Sequence, residues 1–272
     1  MSHRQGLIDY NGTSVKICVP TLGNICDLWW NWTNEVVDCI PNSNGIKFMF
    51  AGPVDVLRTK ICEEAIEEDI DYVLMLDDDI LVPHYFLHRL LYTAKQTNAD
   101  VVNCPCWVKS VYGSLTFFDF VIFSENGERV LRPYPLKEHH LVFGGYQEYD
   151  MGGCGCILIK TDLLRRMEKP LFRLGYEGVE KRGGLEFSYS VSAGEDFWFH
   201  HQAHKAEAKM ILDCGVPCDH YDVDDDSIYP HEDVVKIIVP DLEPGKRFYQ
   251  LDHPKAWFRN KIKEMGKKNG NY

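Results

Sequence analysis

No run of apolar residues in this 272-residue chain approaches the roughly 20 that cross a bilayer as a helix. The opening stretch, MSHRQGLIDYNGTSVKICVP, has no basic start followed by an apolar core, so a secretory leader is not expected. Positive charge is also short: 29 Lys and Arg face 41 Asp and Glu, for a formal net charge of -12. Such a surface repels phosphates, so a general affinity for nucleic acid or anionic lipid is not expected either. The local run RNKIKEMGKKNGNY is the exception, and it reads as a solvated last helix with a frayed tail. Internal repeats, low-complexity stretches and a convincing linker are all missing. The chain therefore reads as one domain over 1–272, with no integral membrane segment.

Also missing is the Cys-x-x-Cys spacing of common structural zinc sites, although the chain has ten cysteines. Several lie inside apolar segments, such as Cys18 in VKICVP and Cys62 in a helical stretch, where they serve as small hydrophobes in a reducing compartment. The expected location is cytoplasmic. Cys104-x-Cys106, Cys154-x-Cys156 and Cys214-x-x-x-Cys218 offer a rival thiolate site, with each Cys-x-Cys pair placed on one face if it lies in a strand.

What the chain does have is alternation. SVKICVP reads as a strand, the following ICDLWWNWTNEVVDCI repeats its apolar residues every three or four positions, and IKFMFAG is a second strand. VDVLRTKICEEAIEED is an amphipathic helix with Leu57, Ile61, Ala65 and Ile66 on one face. DYVLML, PHYFLHRLLYTAKQT and ADVVNCPCWV then continue as strand, helix and strand. This spacing predicts an α/β fold with a mostly parallel, Rossmann-like central sheet flanked by helices. Beyond about residue 110 the rhythm loosens. A hairpin is expected at Asn126-Gly127, a strand and a helix capped by Thr161 or Asp162 in GGCGCILIKTDLLRRM, and a mobile loop over LGYEGVEKRGGLEFSYSVSAG. A helix over EDFWFHHQAHKAEA and a strand over KMILDC follow, then a polar segment, DHYDVDDDS. The expected division is a nucleotide-binding half over about 14–110, an acceptor and catalytic half over about 111–240, and a helical tail over 241–272.

The stretch DYVLMLDDDILVP carries the chemistry. Three adjacent carboxylates repel one another, yet both flanks are apolar, which places Asp77, Asp78 and Asp79 at the mouth of a core with something positive opposite. In open parallel sheets ligands bind at the carboxyl ends of strands, and the triplet follows the third strand directly. In an extended segment Asp77 and Asp79 share a side and Asp78 takes the other. Two such carboxylates can bracket one hard cation and its diphosphate ligand. The alternative is an acidic strand end with turn duties.

Later in the chain, SAGEDFWFHHQAHKAEAKMILDCGVPCDHYD sets a Glu-Asp pair at a helix start, then a strand and a histidine. Taken together, the order resembles GT-A-fold glycosyltransferases, similar to glycosyltransferase family 2 and its relatives. The matching features are a first strand ending in Pro20-Thr21, Arg58 on the helix before the acidic strand, the Asp77-Asp78-Asp79 triplet, the Gly-rich MGGCGCILIKTDLL, and Glu195-Asp196. They span about residues 15 to 221. Thr59 stands where the family has Asn after the arginine, and the Gln-x-x-Arg-Trp mark of processive synthases is missing, which favours transfer of a single sugar.

The resemblance implies a set of roles. Asp77, Asp79 and His220 would hold Mn2+ or Mg2+, the histidine tilting the choice to Mn2+. Pro20, Thr21, Arg58, Asp77, Asp78 and Gly153 would contact a UDP- or GDP-linked sugar donor. Asp196, with Glu195 second, would be the base of an inverting transfer. The acceptor (glycan, lipid, protein or modified base) and the oligomeric state stay open.

Each residue also has a plainer reading: a helix-start acid for Asp196, an exposed helix arginine for Arg58, a strand-end threonine for Thr21, a plain turn for Gly152-Gly153 and a surface histidine for His220. Trp198 is either a sugar platform or core, and Trp29, Trp30 and Trp32 are helix packing. The rival functions are a metal-dependent phosphohydrolase or nucleotidyltransferase on the same acidic strand end, and a non-catalytic nucleotide-sugar binder.

Overall fold

A computed structural model describes residues 6–23, 25–38, 40, 42–50, 52–109, 115–117, 145–175, 178–182, 185–189, 194–222 and 227–229. Its first half runs β1 (Leu7–Asp9), β2 (Ser14–Pro20), α1 (Asp27–Asp38), β3 (Lys47–Met49), α2 (Val54–Glu67), β4 (Tyr72–Leu76), β5 (Ile80–Leu81), α3 (Phe86–Thr97) and β6 (Val101–Asn103). The second half continues with β7 (Trp107–Lys109), β8 (Leu115–Phe117), β9 (Tyr146–Glu148), β10 (Cys156–Lys160), α4 (Thr161–Arg166), β11 (Gly178–Arg182) and β12 (Leu185–Tyr189). It closes on α5 (Glu195–Lys205), β13 (Met210–Asp213), β14 (Asp219–Asp222) and β15 (Ser227–Tyr229). The expected hairpin at Asn126-Gly127 and the C-terminal tail lie outside the described residues. Among those described, no helix is long and apolar enough to cross a membrane.

The main sheet has the order β1-β2-β4-β10-β6-β13-β9, with β3 also paired to β2. The β2–β3, β2–β4 and β6–β13 pairs are parallel, as the alternation of strand and helix predicts. The sheet is nevertheless mixed rather than mostly parallel, because β10 enters between β4 and β6 and runs against both. This reversal matters for the site. A reversed strand brings its first residues, not its last, to the edge where parallel neighbours end, so Cys154–Cys156 arrives beside the ends of β4 and β6.

Two apolar layers sandwich the sheet. Leu74 and Leu76 of β4 pack with Trp29, Trp32 and Val36 of α1 and Leu90 and Leu91 of α3. Val73 and Met75 pack on the other face with Ile61, Cys62 and Ala65 of α2, Leu163 of α4 and Phe199 of α5. Period-two alternation between two covered faces explains why YVLML is apolar throughout. Trp29 and Trp32 also donate indole N–H bonds to the Ile80 and Val82 carbonyls, at 2.8 and 2.9 Å, which tie α1 to the segment after the aspartates. Trp30 departs from the packing expectation, being 42% exposed beside Phe48.

Three local expectations change. The segment expected as a mobile loop holds β11 and β12, an antiparallel pair. The polar segment after β13 forms β14, which pairs with both β15 and β5. Helix α4 has Lys160 rather than Thr161 or Asp162 at its N-cap, with no side-chain cap bond.

Candidate active site at the acidic strand end

The end of β4 meets the start of β10 and the start of α5. Asp77 N–H donates to the Gly155 carbonyl at 2.9 Å, and the Asp79 carbonyl accepts from Tyr221 N–H at 2.7 Å. These bonds fix the triplet as a turn between β4 and β5 and seat β14 beside it. Asp77, Asp79, Gly153, Asp196 and His220 then line one cleft.

The positive group under the triplet is Arg58. Its guanidinium is 3% exposed, donates to Asp77 Oδ1 at 2.8 Å and Glu195 Oε1 at 3.2 Å, and lies 4.0 Å from Asp196 Oδ1. A third bond runs to the Cys154 carbonyl at 3.1 Å. Burial works against its charge, but the Asp77, Asp196 and Glu195 carboxylates outweigh that and hold Arg58 above its usual range. This is neither an exposed helix arginine nor a group standing at the open mouth of the cleft. It is a buried cation that joins the two acidic motifs. The helical period carries the signal: Arg58 sits three, four and seven residues before Ile61, Cys62 and Ala65, all buried.

The three aspartates part company. Asp77 turns to Arg58. Asp78 turns away to accept a short hydrogen bond from Thr21 Oγ1, and the same oxygen takes the Gly23 N–H at 3.0 Å. Asp79 faces His220, whose Nε2 lies 3.0 Å from its Oδ2. Thr21 and Pro20 are buried at the end of β2, where Pro20 pairs with Met49.

Negative charge is in surplus in the cleft. Burial pushes the Asp77 carboxyl up to about 7; Arg58 opposes this, while Asp79, Asp196 and Asp78 add to it. Glu195 is raised by burial and by Asp196, again against Arg58. Asp78 rises through burial, partly offset by the Thr21 bond. Burial and mutual repulsion together therefore keep these carboxyls raised despite the guanidinium beneath them.

Asp196 is the second residue of α5, and its buried Oδ1 lies 4.0 Å from the Arg58 guanidinium. The first turn is held from within. His200 is buried, its Nδ1 lies 2.7 Å from the Asp196 carbonyl, and its Nε2 lies 3.0 Å from Tyr149 Oη. A carbonyl only accepts, so Nδ1 carries the proton and Nε2 accepts from the tyrosine hydroxyl. Nothing in the sequence pattern singles out this pair. Trp198 stands apart from the cleft, donating to the Pro170 carbonyl at 2.7 Å under the Arg173 guanidinium. At the site, Gly155 is close-packed: an added Cβ would meet Ile80 at 3.1 Å and Cys106 Sγ at 3.4 Å. Gly153 lines the cleft with its carbonyl accepting from Asn103 at 2.7 Å.

Compared with known proteins, the chain matches no family model and no curated protein. Among solved structures it is similar to A197 from STIV, at 13% identity and a TM-score of 0.48, covering 79% of this chain and 91% of that one. It is also similar to GalNAc-T7 solved with UDP, GalNAc and Mn2+, at 10% identity and a TM-score of 0.42, covering 75% of this chain and 37% of that one. A further likeness is to CMP:2-keto-3-deoxy-manno-octonic acid synthetase complexed with CTP, at 12% identity and a TM-score of 0.32, covering 56% and 76%.

Proposed function

We propose that the chain is a divalent-cation-dependent transferase that moves a single sugar from a nucleotide-sugar donor to an acceptor hydroxyl, with inversion. The observation that carries this reading is the meeting of the Asp77–Asp79 turn and the Glu195-Asp196 helix start in one cleft, over one buried arginine.

The donor set fits a hard dication. Carboxylate oxygens and an imidazole suit such an ion, and Asp79 and His220 meet at the cleft in a 3.0 Å hydrogen bond that a bound ion would replace. These two would hold Mn2+ or Mg2+, with Asp77 added from the same cleft wall. Such an ion, when bound, neutralises the leaving diphosphate as a Lewis acid. The acidic surplus is the condition that a dication relieves.

The other roles belong to the chain itself. Arg58 orients Asp77 and Glu195 from below rather than touching the donor. The Thr21–Asp78 pair stands at the ends of β2 and β4, where a nucleoside bound at strand ends would lie. Asp196 takes the acceptor hydroxyl's proton as the bond to the sugar forms, with the His200 bond to its carbonyl fixing the helix start.

The test is a thermal-shift panel of nucleoside diphosphates and their sugars, with and without Mn2+ or Mg2+. A ligand at about 100 times its Kd stabilises by about 2.7 kcal/mol, a Tm rise of several degrees in a chain of this size. The rise should require both nucleotide and metal and vanish in Asp79→Asn. Asp196→Asn should keep the rise but abolish transfer to added acceptors. Metal-independent binding, pyrophosphate release from a nucleoside triphosphate, or turnover surviving in Asp196→Asn would each overturn the assignment.

A further inference from the structure

The cleft has a second wall made of sulfur. Cys104, just past β6, Cys156, the first residue of β10, and Cys218, just before β14, are buried with their three Sγ atoms all within 4.8 Å of one another. Cys104 and Cys156 are 3.5 Å apart, Sγ to Sγ. Cys106 stands beside this trio rather than inside it: its backbone bridges to Cys218, its thiol is hydrogen-bonded with that of Cys218, and it is 6% exposed, so it can swing in as a further ligand. Of the sequence pairs, only Cys104-x-Cys106 stays together. Cys104 and Cys106 share the core layer of Cys156 and Cys218, while Cys154 and Cys214 pack on the opposite face. Alternation fails for Cys154-x-Cys156 because Cys154 lies ahead of β10, outside the pleat.

The structure assigns to Cys104, Cys156 and Cys218, with Cys106 as fourth ligand, a tetrahedral thiolate site for Zn2+. At a Zn–S distance of about 2.3 Å the edges of a thiolate tetrahedron are roughly 3.8 Å. The sulfurs of Cys104, Cys156 and Cys218 lie within 4.8 Å of one another, with Cys104 and Cys156 at 3.5 Å, on segments that the reversed β10 brings to one point. Soft thiolates select zinc over the hard ions suited to the carboxylates across the cleft. Entry is open, because Cys104 and Cys106 line the cleft and its acids attract cations. On metal binding, each coordinating thiol gives up its proton to solvent as its S–Zn bond forms.

The site would act as a clasp. Cys218 lies two residues before His220, and β14 pairs with β5, so zinc would lock β14 to the ends of β6 and β10 and hold His220 opposite Asp79. It requires no nucleotide-sugar chemistry and stands or falls separately from the transferase reading.

The experiment is to prepare the full chain under reducing conditions with Zn2+, dialyse it and measure bound metal by mass spectrometry. One zinc per chain should remain, and Co2+ in its place should give the thiolate charge-transfer band and intense visible bands of a tetrahedral site. Cys156→Ser and Cys218→Ser should lose the metal, while Cys62→Ser and Asp79→Asn should keep it. If the serine variants fail to fold, an alkylation footprint of the wild type gives the same answer: zinc should protect Cys104, Cys106, Cys156 and Cys218 together. A zinc-free chain, a weak octahedral Co2+ spectrum, an unchanged footprint, or a Cys104–Cys156 disulfide in the reduced preparation overturns the assignment.

Discussion

Replacing Arg58 with methionine removes the cation beneath the cleft and keeps most of its volume. The guanidinium holds Asp77 at 2.8 Å, Glu195 at 3.2 Å and the Cys154 carbonyl at 3.1 Å. A hydrogen bond to a charged group contributes about 1.5–3 kcal/mol net, and the guanidinium is the donor in all three, so they sum to roughly 4.5–9 kcal/mol. Asp77 is 30% exposed, and solvent screens part of its loss. The stranded acids can also take up protons. The expected destabilisation is therefore about 3–5 kcal/mol, the usual cost of removing one partner from a buried ion pair. Urea denaturation at about pH 8, followed by the fluorescence of buried Trp29 and Trp32, reads it directly. A double-mutant cycle isolates the pair: adding Asp77→Asn should recover at least about 1 kcal/mol relative to additivity. Arg58→Lys keeps the charge but not the fork, and should fall between wild type and methionine, which covers the case in which methionine does not fold. A loss below about 1 kcal/mol for Arg58→Met, or strict additivity with Asp77→Asn, would refute the account of Arg58 as the cation joining the two motifs.

Buried His200 is held down to about 4 by burial, against an unfolded value near 6.5. The unfolded chain binds this proton first, so stability is complete above about pH 6.5 and falls as pH drops toward 4, by about 2 kcal/mol between roughly pH 7.5 and 5. His200→Gln should lack that component in parallel urea titrations, and an unchanged pH slope would contradict it. Lys16 is fully buried in β2 and donates to both oxygens of Glu68, at 2.6 and 2.7 Å, with Glu64 at 3.5 Å. Glu68→Gln should cost about 3 kcal/mol by stranding the ammonium, whereas Lys16→Met with Glu68→Leu should cost far less, because the charge leaves with its partner. Equal losses would mean that the site matters as packing. Trp29→Phe should cost about 1–3 kcal/mol in the same assay by orphaning the Ile80 carbonyl; a loss within a few tenths would show that water replaces the indole.

Periodicity made the first half of the fold legible because each layer obeys a local rule. Strands covered on both faces are apolar throughout, and helices covered on one face carry a stripe. The direction of β10 has no such rule. A short apolar strand reads the same whichever way it enters the sheet, and its neighbours are set by contacts distant in sequence: Ile157 lies opposite both Met75 and Asn103. The Gly- and charge-rich segment before α5 misled for a related reason. Hairpin β11–β12 pairs its backbone regardless of how polar its residues are, and composition alone reads such a stretch as loop.

At the site, the sequence displayed the charges but not their pairing. A row of aspartates after a buried strand demands a compensating cation, and that demand holds whether the cation is a metal or a side chain. The structure supplies a side chain first: Arg58, on the apolar stripe of α2, where a charged residue has no reason to be unless acids wait inside. One guanidinium does not suffice: burial first, and then the neighbouring carboxylates, keep Asp77 and Glu195 raised although Arg58 opposes them. The triplet therefore poses two electrostatic problems. Arg58 answers the inner one by fixing Asp77 and Glu195 in place. On the transferase reading proposed above, the outer one, at Asp79 and His220 on the open cleft, would be answered by a mobile dication when ligand chemistry calls for one. An enzyme that must gather and then release a charged leaving group needs the second answer to be reversible, which a covalently tethered arginine could not provide.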